Sequence, residues 1–168
     1  MGASRGIGHE PIGRMGAVDE QRWSIADLAS DLRRLGVAAG DVVMVHASLR
    51  AVGTTSGGAD GVLDAIEEVV GPRGTLLMVL GARDEWAWVN ERPEGRRAVL
   101  LRDAEPFDHL TTPADPDVGT LAEVFRTRPE THVTDHPEGR FAAAGAMAER
   151  LLADPPWHDY FGPGSPLE

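Results

Sequence analysis

The chain has 168 residues, 42% of them hydrophobic, and a formal net charge of −11. That length suits one domain with a sizeable core, and the surplus of acid argues against a nucleic-acid partner, whose phosphates demand a basic face. Cysteine is absent and all 16 basic residues are arginine, which excludes disulfides, thiolate metal sites, a cysteine nucleophile and any Walker-type or Schiff-base lysine.

Residues 1–20 are expected to be a flexible leader, and residues 21–168 part of a single domain. The leader contains Gly2-Ala-Ser-Arg-Gly-Ile-Gly8, which has the look of a dinucleotide loop. Such a loop must follow a strand and open a helix, and here only Met1 precedes it. Next, Ser24 is a good N-cap. Ile25, Leu28, Ala29, Leu32 and Leu35 follow at helical spacing, and Gly36 stops the helix. Residues 42–46 read as a continuously apolar strand, expected to be central and covered on both faces. A helix then starts at Ala59 or Asp60 and buries Val62, Leu63, Ile66, Val69 and Val70, until Gly71-Pro-Arg-Gly74 breaks it. Residues 75–80 form a second buried strand, parallel to the first. Between 81 and 116 periodicity is lost, as in a functional or flexible loop. A short helix is expected from near Gly119, a strand over 140–144 and a helix over 145–153. The fold class that results is α/β, with a central, largely parallel or mixed sheet and helices on both faces.

His46 closes the first apolar run, and Ser48 and Thr54 follow it before Gly57 and Gly58 open a helix. Ligand sites in open α/β sheets form at strand ends, and a helix N-terminus there holds an anion. The alternative is that His46 simply caps a strand and that Ser48 and Thr54 turn the chain. His136 lies in Thr134-Asp-His-Pro-Glu138, extended by the following proline. An imidazole there suits proton transfer or hydrogen bonding alone. No two histidines sit at i, i+4 beside a carboxylate, so no metal is expected. There is no Gly-x-Ser-x-Gly elbow for a serine hydrolase. With 27 acidic residues, any pair of spaced carboxylates is uninformative.

Taken in order, several segments resemble the aminoglycoside 3-N-acetyltransferase family. Gly36-Val-Ala-Ala-Gly-Asp-Val-Val-Met-Val-His-Ala-Ser-Leu49 is similar to its valine-histidine-serine-serine-leucine strand end. Gly57-Gly58 and residues 71–78 match the elements after it. Pro106-Phe-Asp-His-Leu-Thr-Thr-Pro113, with Val118-Gly119 and Phe125-Arg126, resembles its threonine-proline loop and short helix. Asp135-His-Pro-Glu-Gly-Arg-Phe-Ala-Ala-Ala-Gly145 resembles its histidine-proline segment, and Phe161-Gly-Pro-Gly-Ser-Pro-Leu167 its glycine-serine-proline-leucine turn.

The resemblance implies acetyl transfer from acetyl-coenzyme A to the 3-amino group of an aminoglycoside, a cationic small molecule, by direct base-assisted attack on the thioester. It places His46, Ala47, Ser48, Leu49, Thr54, Gly57, Gly58, Thr112, Val118, Gly119, Thr134 and Arg140 along the coenzyme A groove. Ala47, Val118 and Arg140 depart from the family's usual serine, methionine and serine, and Arg140 is expected to meet a coenzyme A phosphate. His136 is expected in a supporting role, and it should share a groove with His46. Asp84, Glu85 and Trp86 are the candidates for holding substrate ammonium groups. Family members run on past the glycine-serine-proline-leucine turn to a histidine that is their main candidate base. The chain is therefore expected to be the N-terminal portion of the enzyme, with its main base beyond residue 168. Two alternatives stay open: a catalytically incomplete chain that binds coenzyme A or a polyamine, and a transferase acting on another amine natural product. A cytoplasmic monomer or homodimer with no membrane partner is expected, because no apolar run approaches the ~20 residues of a span.

Overall fold

A computed structural model describes residues 22–81 and 86–168. The expected leader, the glycine-rich loop at 2–8, and Asp84 and Glu85 lie outside the described residues.

Helix α1 (Ile25–Arg34) starts where the sequence places it. The Ser24 hydroxyl accepts from the Asp27 amide, and the Asp27 carboxylate accepts from the Ser24 amide at 3.0 Å, so two otherwise orphaned donors are satisfied reciprocally. Helix α3 (Gly58–Val70) begins one residue before the expected start and presents Val62, Leu63, Ile66 and Val70 to the sheet. Its other buried hydrophobic residues, Ala65 and Val69, meet Ala29 of α1. Ile25, Leu28 and Leu32 of α1 pack around that contact.

Among the described residues the sheet has four strands, β1 (Val42–Met44), β2 (Thr75–Val79), β3 (His132–Val133) and β4 (Phe141–Gly145), in the order β1-β2-β4-β3. Strand β1 is parallel to β2, as expected, with Val43 opposite Leu76. Strand β4 runs antiparallel to β2, with Leu77 opposite Ala143. The sheet is therefore mixed. Strand β3 has no signal in the sequence, because it is two residues long and formed by pairing with β4.

Helices cover both faces, unequally. On one side Leu76, Met78, Leu80 and Ala142 pack against α3 and against Leu121, Ala122 and Phe125 of α5 (Thr120–Arg126). On the other, Leu77, Phe141 and Ala143 meet Ala148 of the short α6 (Ala148–Leu151). The helix expected over 145–153 is thus shorter, and Gly145 belongs to the strand.

Two expectations need correction. The apolar run 42–46 is not a central strand. It is an edge strand of three residues, and its burial alternates: Val43, Val45 and Ala47 pack on the core, whereas Val42 and Met44 are 49% and 39% exposed. Continuous apolarity marks residues suited to a strand without saying how many faces have neighbours, and among the described residues β1 pairs only with β2. Segment 81–116 is also not structureless. It holds a 3-10 turn (Ala87–Glu91) and helix α4 (Glu94–Leu100), on which no residue is buried. The Arg97 guanidinium donates to the carbonyls of Asn90 and Arg92 and ties the two together.

Candidate functional site

The candidate residues fall into three groups at the C-terminal end of β1 and β2. The first is exposed: His46, Ser48, Thr54, Gly57 and Gly58. Ser48 caps a one-turn helix, α2 (Leu49–Val52), its hydroxyl accepting from the Ala51 amide at 3.4 Å. That helix was not read from the sequence, although serine before Leu-Arg-Ala-Val is its signal. His46 is solvent-facing, two residues beyond β1, and has no hydrogen-bond partner among the described residues. Gly57 caps α3 in the left-handed conformation (φ +81°) and has no side chain to offer. The first turn of α3 therefore has no side-chain cap; the Gly58 amide donates to the Thr55 carbonyl at 3.2 Å, and the Ala59 and Asp60 amides stand at the positive end of the helix dipole.

The second group is half-buried: Ala47, Leu49, Thr112, Val118 and Gly119. Ala47, Leu49 and Val118 pack on one core cluster. Gly119 has φ +92°, and a Cβ added there would lie 3.7 Å from the Ala47 carbonyl oxygen. The turn before α5 is thus laid against the segment that follows β1. Beside it the Asp115 amide donates to the Leu80 carbonyl at 2.8 Å, and the Leu80 amide to the Arg140 carbonyl at 2.8 Å. The ends of β1 and β2 and the start of β4 meet the 115–119 turn in one place.

The third group is buried: Thr134, His136 and Arg140. The Thr134 hydroxyl accepts from the Phe141 amide at 2.8 Å and extends the β3–β4 pairing. His136 Nδ1 accepts from the amides of Gly139 (2.8 Å) and Glu138 (3.1 Å), and Nε2 lies 2.9 Å from the Trp157 carbonyl. That pattern assigns the Nε2–H tautomer, with Nε2–H donating to Trp157. The ring is wedged between Trp157 and Tyr160, with centroids at 4.5 and 4.8 Å. Both nitrogens are occupied, so His136 braces the 136–140 turn and has none left for proton transfer. No hydrogen bond, ion pair or ring contact joins it to His46, among the described residues.

Arg140 has no exposed surface. Its Nη2 donates to the Thr112 carbonyl at 2.6 Å and Nη1 to the Pro113 carbonyl at 3.3 Å, while Nε has no partner. The guanidinium lies 5.9 Å from the centre of the Phe107 ring. Burial pushes it down to about 10, the nearby Arg126 charge acts in the same sense, and Glu123 opposes them. In this arrangement Arg140 faces the 107–114 segment and not solvent, so it is not placed to meet a phosphate. From α5, Arg126 pairs with Glu123 at 2.6 Å and donates to the Leu110 carbonyl, and Glu123 accepts from the Ala114 amide at 2.7 Å. The Arg126 hydrogen bonds hold the Glu123 carboxyl below its ordinary range. Glu123 and Arg126 were missed as site residues. Their i, i+3 spacing is the signal for the ion pair, but their reach to segment 110–114 is long-range.

Trp86 is half-buried and stacks with Trp88 at 6.2 Å between ring centres, and Arg92 lies 5.4 Å over the Trp88 ring. At the opposite end of the sheet Glu67, Glu68, Gly74, Glu130, His132 and Gly145 line a cleft of about 780 Å³. None of them was expected in a site. Among the described residues, no cluster of three or more His, Asp or Glu could hold a metal ion.

Residues 44–168 match the family described as aminoglycoside 3-N-acetyltransferase. An aminoglycoside N(3)-acetyltransferase VII of Streptomyces paromomycinus is 41% identical over 145 residues, which span 83% of this chain and 49% of that protein. The crystal structure of the aminoglycoside acetyltransferase AAC(3)-Xa superposes with a TM-score of 0.81 at 38% identity, covering 86% of this chain and 51% of the other. AAC-IIIb, solved as a binary complex with CoASH, gives 0.79 at 35% identity, over 87% and 55%. The chain spans about half the length of the relatives it matches.

Proposed function

The chain belongs to the aminoglycoside 3-N-acetyltransferase family, and on that premise we propose that it takes part in acetyl transfer from acetyl-coenzyme A to the 3-amino group of an aminoglycoside. The observation that carries this reading is the meeting of segment 45–49 with the 115–119 turn at the strand ends, where Gly119 lies against the Ala47 carbonyl.

The geometry suits an extended thioester donor. The first turn of α3, opened by Gly57 and Gly58, has no side-chain cap, and the Ala59 and Asp60 amides are the donors it can offer to diphosphate oxygens, since the Gly58 amide already donates to the Thr55 carbonyl. His46, Ala47, Ser48 and Leu49 supply one wall for a pantetheine arm, and Thr112, Val118 and Gly119 the other. Thr134, His136 and Arg140 support that wall from behind. On the acceptor side, Asp84 and Glu85 are proposed to hold ammonium groups, with Trp86 as a stacking wall.

An alkylammonium is not nucleophilic, so a base must first take its proton. The amine nitrogen then attacks the thioester carbonyl carbon, and amide donors stabilise the developing oxyanion. The carbon–sulfur bond breaks, the nitrogen sheds its extra proton as the amide forms, and the leaving thiolate takes up one proton in exchange and departs as the free thiol. His136 is closed and His46 has no group orienting its ring, so neither is poised as that base. This favours a second reading, in which the 168 residues bind coenzyme A without turnover.

Incubating the chain with acetyl-coenzyme A and a panel of aminoglycosides, while following thiol release, tests the proposal, with calorimetry against coenzyme A alongside. Thiol release that depends on the aminoglycoside supports transfer. Binding without release supports the second reading, and neither binding nor release contradicts both.

A further inference from the structure

We infer that Arg140 is a positioning residue for the coenzyme A groove, acting through the 107–114 segment that it fastens to the sheet. The inference rests on the reading of that segment as a groove wall.

Four bonds hold residues 110–114 from behind. Arg126 takes the Leu110 carbonyl, Arg140 takes those of Thr112 (2.6 Å) and Pro113 (3.3 Å), and Glu123 takes the Ala114 amide (2.7 Å). Pro113 has no amide proton, so this stretch cannot be secured by a regular strand ladder. Its carbonyls therefore depend on side-chain donors.

Arg140 is an unusual donor. It is fully buried, and no carboxylate lies within hydrogen-bond distance of it. A buried cation is ordinarily paired, because desolvation penalises it. Here the direct contacts that compensate it are two carbonyl dipoles and the Phe107 ring, 5.9 Å away, all on the segment that it holds, while the Glu123 charge on α5 acts from farther off. Displacing the segment would strip the guanidinium of both hydrogen bonds and the ring contact at once, so segment and cation hold one another in one arrangement. The anchor is Arg140's own backbone, whose carbonyl accepts from Leu80 and Gly81 at the end of β2. Arg140 thus couples the strand end to the loop that faces it across the proposed groove. Thr112, whose carbonyl it grips, is half-buried at that wall.

The test compares Arg140→Gln, Arg140→Lys and Arg126→Gln with the parent chain, by hydrogen–deuterium exchange and by calorimetry with coenzyme A. Arg140→Gln is expected to speed exchange at residues 110–115 by about tenfold or more, in line with the loss of bonds to a charged donor. Exchange in α3 and β2 should be unchanged, and coenzyme A affinity should fall by about tenfold. Arg140→Lys keeps a buried charge that can reach one carbonyl, and it should recover part of that affinity, which a merely structural role would not require. If Arg140→Gln fails to fold, Arg126→Gln, which frees the Leu110 carbonyl and unpairs Glu123 but leaves both Arg140 bonds in place, should show a smaller effect in the same places. Unchanged exchange at 110–115 overturns the inference even if the parent binds coenzyme A. Faster exchange with unchanged affinity overturns it as well, by separating the segment from the groove. Failure of the parent chain to bind coenzyme A is a different result. It sinks the functional reading, and exchange alone then decides whether Arg140 holds the segment.

Discussion

Gly139 shows how narrowly some positions are set. A Cβ there would fall 2.2 Å from Cγ of the Tyr160 ring, and Tyr160 is one of the two aromatics against His136. Gly139→Ala should therefore cost about 3 kcal/mol by overpacking, whereas Ser24→Ala should cost about 1 kcal/mol by loss of a cap. Urea denaturation of the two variants checks the order. A Gly139→Ala chain as stable as the parent would contradict the packing. Ser24 was legible in the sequence because its partner, Asp27, is three residues away. The surroundings of His136 were not, because Trp157 and Tyr160 lie 21 and 24 residues on and meet it only through the fold. The same holds for Arg140. Its residue type suggested a phosphate, but its partners Thr112 and Pro113 are 28 and 27 residues back and could not be read from neighbours.

Elements with their own periodicity were read well, and elements made by contact were not. Helices α1 and α3 carry apolar stripes and clear stops, and both appear within a residue or so of expectation. Helix α4 buries no residue and β3 has two residues, so neither leaves a pattern. The edge position of β1 gives a direct contrast with β2. Met44→Lys should change stability by less than about 0.5 kcal/mol, as at an exposed site. Leu77→Ala, at a residue only 3% exposed, should cost about 2–5 kcal/mol. A large loss from Met44→Lys would show that this face of β1 is covered. Helix α5 gives a prediction in pH. Arg126 holds the Glu123 carboxyl below its ordinary value of 4.5. Glu123 ionised therefore favours the folded chain; this contribution is complete above that value and is lost as pH falls through the lowered native one. Glu123→Gln should be less stable than the parent at neutral pH, and the gap should close in acid. Denaturation at pH 7 and pH 3 measures it, and a gap that stays constant contradicts the pairing.

Across the whole molecule, the mixed α/β sheet was legible from the order of its elements. The way its strand ends come together at the proposed site was not. Asp115 reaches Leu80, and Gly119 lies against Ala47, only because α5 packs on the same face as α3. The cleft at the other end of the sheet, lined by Glu67, Glu68, Glu130 and His132, is a competing location for a ligand. Among the described residues, no helix is long and apolar enough to cross a membrane. Measurement can assign a ligand to the proposed groove or to this cleft. Amide chemical-shift mapping of the chain titrated with coenzyme A decides it. The account predicts perturbations at residues 46–49, 57–60, 112 and 118–119, with the amides around Glu67 and His132 unmoved. Shifts gathered at the far cleft, or none at all, would contradict it.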